Sequence, residues 1–435
     1  MGSRPANTKM SEITELIRKK RDGAELAAGE IASFVRGVLS GEFNEAQTAA
    51  FLMAVYFRGL TPQETSALAL EMAHSGEMLD LSSIPGTVDK HSTGGVGDKT
   101  TLVVAPLVAA AGVPVPKLSG RALGHTSGTV DRLESIPGLS MDLGTARFID
   151  QVQKIGVAVG GQTARLVPAD KKIYALRDQT ATVEVTSLIA ASVMSKKLAG
   201  GASAILLDVK CGQGAFISDL TQAKEMAELM VHIGTSAGRK TRALITPMDE
   251  PIGRAVGEGI EMAEAIYTLD GEGPADFVEL CLLIGSHMVH LGGKADSPEA
   301  AREKLQELLE SGAAFEKFAE MVAAQGGDVK ALDCPEELGQ AQHEREITAP
   351  QAGFIQQIDA HVIGEVSRIL VKHHKGGVLV ERKVGEKVEV GEVIARLQTD
   401  LPETLEESAR RVAAAYQIGA EQPTPRPLLL CPPIG

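Results

Sequence analysis

Apolar side chains in residues 11–75 recur with the spacing of α-helices. Ile13, Leu16 and Ile17 lie on one face of a helix, and the same spacing of three to four residues returns three more times before residue 75. Few side chains in this stretch are suited to catalysis. We therefore expect a helical block that serves as a scaffold or as a dimer face.

From residue 86 onward, short apolar runs alternate with longer amphipathic ones, a pattern typical of an α/β domain. The short runs predict strands at 113–117, 157–160, 204–209 and 243–246. The longer runs predict helices at 102–111, 129–135, 145–154, 187–199, 221–237 and 254–268, followed by 274–292, 298–311 and 313–325. Most predicted strands end in Gly, Ser, Thr or charged residues. Because ligands bind beyond the carboxyl ends of strands in such sheets, we expect a binding site there.

The pattern changes again after about residue 345. Residues 352–360, 377–383 and 393–397 have the composition of strands, and residues 385–392 resemble a hairpin connection. This stretch predicts a small α+β appendage. The proline-rich residues 423–433 predict a loosely attached tail.

The composition of the chain limits the kinds of molecule that we expect it to bind. Hydrophobic residues make up 44% of the 435 residues, as in ordinary soluble proteins, and no run predicts a transmembrane helix. A net charge of −14 and only 3% aromatic residues argue against nucleic acid or an anionic membrane as partner. The four cysteines are far apart and form no CxxC motif, which indicates a reduced, cytoplasmic compartment.

Residues 89–101, DKHSTGGVGDKTT, have the composition of a phosphate cradle. Three glycines within four positions let backbone N–H groups approach an anion, because no Cβ stands in the way. Lys90, His91 and four hydroxyl side chains accompany them, and the positive end of the helix that follows can face the same anion. The segment matches neither GxxxxGK[ST] nor GxGxxG. A plain tight turn is the alternative interpretation.

Residues 117–129, KLSGRALGHTSGT, repeat this combination of strand end, glycines, hydroxyls and helix start. Residues 91–94 and 125–128 form a weak repeat, HSTG and HTSG. Two such loops can hold one phosphate from two sides. The alternative is a pair of helix caps, with Thr129 as an N-cap.

A third group of residues lies on two predicted helices. Tyr174 and Arg177 are three residues apart, and Ser192 and Lys196 are four apart, so each pair shares a helix face. Together they present an aromatic surface and several hydrogen-bond donors, which suit a planar ring that carries carbonyl groups. The alternative is a solvated face of ion pairs, although the apolar neighbours of Ser192 indicate a partly buried helix.

In combination, three motifs closely resemble the thymidine and pyrimidine nucleoside phosphorylase family: residues 90–98, residues 119–126, and residues 174–178 with 195–197. The similarity runs in chain order from about residue 11 to 345. It implies an all-α domain hinged to a larger α/β domain with a mixed sheet, in a homodimer. The implied divisions are 1–75 and 165–200 for the all-α domain and 76–164 and 201–345 for the α/β phosphate-binding domain. Residues 346–435, the small C-terminal α+β appendage and tail, are assigned from their own pattern and not from the resemblance.

The resemblance also assigns residues, with phosphate as a co-substrate and no organic cofactor. It implies that phosphate is bound by Lys90, Ser92, Ser119 and Thr129, with Thr101 and Lys117 nearby. It implies that the pyrimidine is bound by His91, Tyr174, Arg177, Ser192 and Lys196. All of these base-binding residues except Tyr174 are expected to act in catalysis.

Two positions within the family pattern are informative. Thymidine-specific members typically have Met where this chain has Lys117, so the lysine resembles the broader pyrimidine branch, which accepts uridine as well as thymidine. Some relatives bind potassium at the positions of Gly97, Lys99, Ile252, Ala255 and Glu264. Lys99 replaces a Thr in that site, and its ammonium can substitute for the cation, so a bound potassium ion and a substituted site both stay open.

The implied reaction is reversible phosphorolysis of pyrimidine nucleosides to the free base and α-(deoxy)ribose 1-phosphate. Donors aimed at the carbonyls of the departing base would stabilise its developing negative charge. One alternative is a phosphoribosyltransferase of the anthranilate type, with Asp249 and Glu250 binding magnesium. Another is a non-catalytic nucleoside-binding module, suggested by the C-terminal hairpin.

Overall fold

The computed structural model describes residues 11–122, 124–163, 165–372 and 375–435. The first ten residues of the predicted all-α domain, Leu123 of the second glycine-rich segment, and Ala164, His373 and His374 lie outside the described residues. The described chain divides into two compact units. The helical unit comprises residues 11–80, Thr163–Gly201 and Glu228–Arg239, and the α/β unit comprises Leu81–Gln162, Ala202–Ala227 and Lys240–Gly435.

Helices and strands are numbered here in chain order. The helices are α1 Glu12–Arg21, α2 Ala28–Ser40, α3 Glu45–Arg58, α4 Pro62–Ala73, α5 Thr100–Ala110, α6 Thr129–Leu133, α7 Gly144–Ile155, α8 Pro168–Gln179, α9 Thr186–Ala199, α10 Leu220–Ser236, α11 Glu258–Leu269, α12 Ala275–Leu291, α13 Pro298–Glu310, α14 Ala313–Ala324, α15 Ala360–Val371 and α16 Leu405–Ala415. The strands are β1 Val88–Ser92, β2 Val115–Ser119, β3 Val157–Gly161, β4 Ala204–Cys211, β5 Lys240–Pro247, β6 Ala255–Val256, β7 His343–Thr348, β8 Gly353–Ile358, β9 Gly376–Val380, β10 Lys387–Val388, β11 Val393–Thr399 and β12 Tyr416–Gly419.

The helical unit is built from α1–α4, α8 and α9, with α4 packed on α9. The start of α4 has a capping box, since the Thr61 hydroxyl accepts from the backbone N–H of Glu64 while the Glu64 carboxylate accepts from that of Thr61. The same carboxylate accepts from the buried ammonium of Lys20 at 2.8 Å. Phe34 and Phe51 stack in the core with ring centroids 4.0 Å apart. These interactions hold α1, α2, α3 and α4 together.

The α/β unit contains two parallel sheets, one of three strands in the order β1-β4-β5 and one of two strands, β2-β3. Helix α5 is buried along almost its whole length, which explains why its sequence is almost entirely apolar. In the three-stranded sheet, Ser92 at the carboxyl end of β1 pairs with Asp208 on β4. The carboxyl ends of β1 and β4 therefore bring polar side chains from distant parts of the chain together.

Antiparallel strands make up the C-terminal part of the α/β unit. One sheet has the order β6-β9-β11-β7 and the other β10-β8-β12. The end of the chain pairs with β5, since Ala243 and Ile434 exchange backbone hydrogen bonds and the Leu430 N–H donates to the Ile245 carbonyl. The prediction of a loosely attached tail is therefore wrong for its last residues, because β5 offers them an unpaired edge.

The predicted fold class, a helical domain with an α/β domain that holds both parallel and antiparallel strands, is confirmed. One local prediction is wrong, and one strand was missed. The helix expected from residue 254 begins at Glu258, because Ala255–Val256 form β6. Strand β1 was not predicted because its residues, VDKHS, are mostly polar. Among the described helices, none is long and apolar enough to cross a membrane.

Candidate active site

The turn from β1 into α5 carries a chain of short polar contacts. The Ser92 hydroxyl donates to the carboxylate of Asp98. The Thr100 hydroxyl donates to the other oxygen of that carboxylate at 2.5 Å, and the Lys90 ammonium donates to the Thr100 hydroxyl at 2.5 Å. The glycine-rich segment is therefore more than a tight turn, because its polar side chains are organised around Asp98. Lys90 and Ser92, both predicted phosphate ligands, belong to one connected network.

Asp208 and Lys210 of β4 extend this network. The sequence patterns placed Lys210 at a strand end but assigned neither residue a role. Asp208 lies 3.5 Å from the Lys90 ammonium and 2.8 Å from that of Lys210. Its second oxygen accepts from the Thr246 hydroxyl at 2.7 Å. A signal was present in the sequence, since an aspartate and a lysine interrupt the apolar run AILLDVKC of a central strand.

The electrostatics of the network favour the charged forms of Asp98 and Lys210. Burial by itself raises the pKa of Asp98, but the ammonium groups of Lys90 and Lys210 and two hydroxyl donors outweigh it and hold the pKa well below its usual range. Burial by itself lowers the pKa of Lys210, but Asp208 and Asp98 raise it above the usual value. Two ammonium groups thus balance two carboxylates, as buried charges require. The result is a rigid, charged frame around the Ser92 hydroxyl.

The second predicted phosphate loop follows β2. Lys117 and Ser119 are both buried, and the Lys117 ammonium donates to the Leu118 carbonyl at 3.1 Å. Thr129 is the first residue of α6, whose N-cap is Gly128, so the alternative that made Thr129 an N-cap is wrong. Thr101 is buried in the first turn of α5. The phosphate contacts assigned to these four residues stay predictions.

In the helical unit, the predicted pair of Ser192 and Lys196 is confirmed as a direct contact. The Lys196 ammonium donates to the Ser192 hydroxyl at 2.9 Å across one turn of α9. It also lies 2.5 Å from the carboxylate of Asp170 on α8, which the sequence did not single out. Asp170 and Ser192 are buried while 28% of the Lys196 side chain is exposed, so the cluster is not a solvated ion-pair face.

Tyr174 and Arg177 share a face of α8, as predicted, with the guanidinium 5.5 Å from the centroid of the tyrosine ring. Arg177 donates to the backbone carbonyls of Thr182 at 3.3 Å, Val183 at 2.5 Å and Leu188 at 3.1 Å. Burial lowers its pKa, which the charge of Asp170 partly restores. Three of the five guanidinium N–H groups are thus used to order the segment that leads into α9.

His91 is half-buried on β1, so it belongs to the α/β unit. The other predicted base-binding residues, Tyr174, Arg177, Ser192 and Lys196, belong to the helical unit. Each unit therefore carries its own group of polar residues. The predicted phosphate ligands and His91 lie in the α/β unit, and the remaining predicted base ligands lie in the helical unit.

At the positions where the resemblance implies a potassium site, the structure places the ammonium of Lys99. The nitrogen of Lys99 lies 2.8 Å from the Ile252 carbonyl oxygen, 3.0 Å from that of Ala255 and 3.2 Å from that of Gly97. A carboxylate oxygen of Glu264 lies 2.6 Å away. Because the lysine nitrogen occupies the point on which these oxygens converge, the donor set does not fit an additional metal ion. Nor does the described part of the chain hold a group of three or more His, Cys, Asp or Glu side chains placed for a metal.

The two carboxylates proposed for magnesium are both engaged. Asp249 forms an ion pair with Arg426. Glu250 lies 3.4 Å from the Lys383 ammonium and accepts from the backbone N–H of Val384 at 3.1 Å. Carboxylates neutralised by side-chain cations are poor magnesium ligands. The geometry therefore gives no support to the magnesium-dependent alternative.

Two family models match the chain. Residues 85–315 match the glycosyl transferase family α/β domain, and residues 14–76 match the helical bundle domain of the same family. Among solved structures, anthranilate phosphoribosyltransferase from Thermus thermophilus is similar, with a TM-score of 0.60 and 21% identity over 71% of this chain and 99% of that one. At this identity the likeness concerns the fold.

Curated relatives are much more similar. The pyrimidine-nucleoside phosphorylase of Geobacillus stearothermophilus is 47% identical over 93% of this chain and 97% of its own length. Proteins of the same name from a bovine strain of Staphylococcus aureus and from Staphylococcus haemolyticus are 48% and 45% identical, over 89% and 95% of this chain and 92% and 98% of theirs. With close to half of its residues shared along nearly its whole length, the chain belongs to the pyrimidine-nucleoside phosphorylase family.

Proposed function

We propose that this chain is a pentosyltransferase that catalyses reversible phosphorolysis of pyrimidine nucleosides. Uridine, thymidine and deoxyuridine would be cleaved by phosphate to the free base and α-(deoxy)ribose 1-phosphate. The observation that carries the proposal is the cluster of Lys196, Ser192 and Asp170, a partly exposed set of donors held in one orientation by a buried carboxylate. Donors of this kind suit the carbonyl and N3–H edge of a pyrimidine, and the named relatives agree with this assignment.

The chemical difficulty of the reaction is the leaving group. When the glycosidic bond breaks, the departing pyrimidine takes the bonding electrons, and negative charge spreads over its ring and carbonyls. The Lys196 ammonium would stabilise that charge, and the Ser192 hydroxyl would pair with ring N3. Loss of one donor aimed at developing charge typically costs about 3–4 kcal/mol of barrier. Arg177 would add fixed positive charge, and His91 would donate toward O2.

The nucleophile is phosphate, for which the network of β1, α5 and β4 supplies the support. Asp98 orients the Ser92 hydroxyl, and the Gly94 N–H donates to the same oxygen at 3.2 Å. Asp208 holds the Lys90 ammonium close to this turn. The arrangement would order phosphate for attack on the anomeric carbon, with Ser119 and Thr129 as further ligands. Orientation of the two reactants can lower the barrier by about 7–11 kcal/mol.

The family resemblance links nucleoside specificity to the residue at position 117, which is a lysine in this chain. A buried lysine at this position is expected in the branch that accepts uridine as well as thymidine. The purified chain should therefore release uracil from uridine and thymine from thymidine at comparable rates. Cytidine should react poorly, because its 4-amino group replaces a carbonyl that Lys196 or Arg177 would meet.

The decisive experiment measures release of free base from uridine with and without phosphate, in the presence of a chelator. Phosphate-dependent release without divalent metal supports the proposal. No release of base from uridine contradicts it. Magnesium-dependent formation of a nucleotide from a free base and phosphoribosyl pyrophosphate would then indicate a phosphoribosyltransferase, and binding of thymidine plus phosphate without turnover would indicate a non-catalytic binding module.

We further propose that the chain works as a homodimer that associates through α3. Met53, Tyr56 and Phe57 lie at helical spacing and are all exposed, Phe57 to 73%. An apolar stripe of this size on a soluble protein commonly marks a contact surface. Phe57→Asp should shift the molecular mass measured by light scattering from dimer to monomer, whereas Val329→Asp, which changes an exposed apolar residue elsewhere, should leave it unchanged. A dimer that persists in Phe57→Asp would contradict this surface.

A further inference from the structure

The oxygen atoms around the Lys99 ammonium are arranged like the ligands of a metal cation in a protein. The side chain is fully buried, and its nitrogen faces the Gly97, Ile252 and Ala255 carbonyls together with the Glu264 carboxylate. The nitrogen also lies 5.0 Å from the centroid of the Phe277 ring, within cation–π range. Three carbonyl oxygens and one carboxylate oxygen around one positive centre form the kind of coordination that hard cations receive.

The backbone is shaped around this ammonium. Gly97 has φ +70°, and a Cβ there would lie 2.7 Å from the Ile252 carbonyl oxygen. Gly253 has φ +64°, and a Cβ there would lie 2.3 Å from Glu264 Oε2 and 3.0 Å from the Lys99 nitrogen. Any other residue at either position would push the ligating oxygens apart. The oxygens are therefore drawn together by a charge, because carbonyl dipoles that converge without a cation would repel each other.

A second ammonium holds the same loop from the C-terminal part of the chain. Lys383 donates to the carbonyl of Pro251, and to that of Gly253 at 3.1 Å, and it lies 3.1 Å from the Asp276 carboxylate. The carbonyls of residues 251, 252, 253 and 255 are thus all bound by lysine nitrogens. The backbone N–H groups of Arg254 and Ala255 in the same loop donate to the Glu264 carboxylate. The loop at 250–255 satisfies these polar groups with side chains alone.

We infer that Lys99 is a tethered cation that makes the conformation of the 250–255 loop independent of potassium. An ammonium ion and a potassium ion are similar in size and carry the same charge, so a covalently attached ammonium can take the ion's place. The tether also removes the loss of translational freedom that binding a free ion requires. A chain with Lys99 should therefore fold and work equally well in salts with and without potassium.

The test compares thermal unfolding of the full chain in potassium chloride and in choline chloride at equal ionic strength. Wild type should give the same midpoint in both salts. Lys99→Thr removes the ammonium and leaves the oxygen ligands, so its midpoint in choline should fall by roughly 5 °C or more. Potassium should restore at least half of that loss and sodium less, because sodium is smaller than the vacated site. This readout is independent of any enzymatic activity.

Two matched variants separate cation replacement from simple loss of a buried charge. Lys20→Thr removes a buried lysine paired with Glu64, and it should be destabilised equally in both salts. Lys99→Met fills the site with an apolar chain and should not respond to potassium. The inference is overturned if wild type is more stable in potassium than in choline, or if Lys99→Thr gains nothing from potassium. The wild-type comparison decides the question even where a variant does not fold.

Discussion

The carboxylate of Asp170 lies 2.5 Å from the Lys196 ammonium and joins α8 to α9 by an ion pair. Only 4% of the aspartate side chain is exposed, whereas 28% of the lysine side chain is. The Asp170 carboxylate is thus buried in the helical unit, while the Lys196 side chain stays partly exposed and can donate a hydrogen bond to a ligand. In the proposed reaction, Asp170 positions Lys196 and does not itself contact the substrate.

Asp170→Asn should therefore reduce kcat for uridine phosphorolysis by about tenfold or more, because the ammonium loses its charged anchor and adopts several orientations. The KM for phosphate should change little, since Asp170 belongs to the helical unit. Steady-state kinetics with each substrate varied separately measures both quantities. Asp178→Asn, a change of an exposed carboxylate on the same helix, is the control and should behave as wild type. An unchanged kcat in Asp170→Asn would remove its positioning role.

Arg177→Lys is expected to affect stability as well as catalysis. The guanidinium binds three backbone carbonyls of residues 182–188, and a lysine in its place cannot reach all three. Each buried carbonyl left without a donor costs about 1–3 kcal/mol. We expect the free energy of unfolding to fall by roughly 2–4 kcal/mol in urea denaturation, together with a loss of kcat. A large loss of kcat at unchanged stability would show that Arg177 acts on the substrate alone.

Asp98→Asn should weaken phosphate use and change the response to acid. The carboxylate orients Ser92 and faces the ammonium of Lys90, so its loss should raise the KM for phosphate by about tenfold. Because the pKa of Asp98 is held below its usual value, its stabilising contribution is present above about pH 4 and is lost as the pH falls further. Asp98→Asn should therefore flatten the loss of stability on the acidic side. Asp333→Asn, at an exposed carboxylate of the same unit, should change neither property.

His287 should make the α/β unit sensitive to mild acid. Burial, with the nearby charge of Arg242, lowers the pKa of His287 from 6.5 to about 4. The folded state therefore resists protonation that the unfolded chain accepts, and the free energy of unfolding should fall between about pH 6.5 and pH 4 by roughly 1–3 kcal/mol. Above about pH 7 this group should contribute no pH dependence.

The variant His287→Gln tests this origin. Its side-chain oxygen can still accept the hydrogen bond that Arg242 directs at Nδ1 over 3.3 Å, but it does not take up a proton. The stability of the variant, followed by urea denaturation at several pH values, should decline less over the same acidic range than that of wild type. His343→Gln removes an exposed histidine and should retain the wild-type slope. Equal slopes in all three chains would assign the acid sensitivity to other groups.

Local spacing was enough to predict contacts within a helix. Ser192 and Lys196 are four residues apart, and helical geometry alone brings their side chains within hydrogen-bond distance, as the 2.9 Å contact confirms. The same reasoning paired Tyr174 with Arg177 on α8. The composition of the glycine-rich segment predicted a phosphate site with a tight turn as the alternative, and its phosphate contacts stay predictions.

Spacing could not predict partners that come from distant parts of the chain. Asp208 meets Lys90 because β1 and β4 are neighbours in the sheet, although the two residues are far apart in sequence. Strand order follows from how the whole unit packs, and no local pattern encodes it. The wrong prediction for the end of the chain has the same cause. Its prolines indicate a loose tail, and only the structure shows that the open edge of β5 lies beside it.

The sequence by itself determined the helical and α/β composition of the chain and its family, and it supplied the residues that are predicted to bind an anion and a pyrimidine. These properties depend on local periodicity and on contiguous motifs, both of which involve residues close together in the sequence. Only the tertiary structure decided which charges neutralise each other and that the Lys99 ammonium occupies the point where four oxygens converge. Long-range electrostatic contacts form only after the backbone has folded, so their partners cannot be identified from neighbours in sequence.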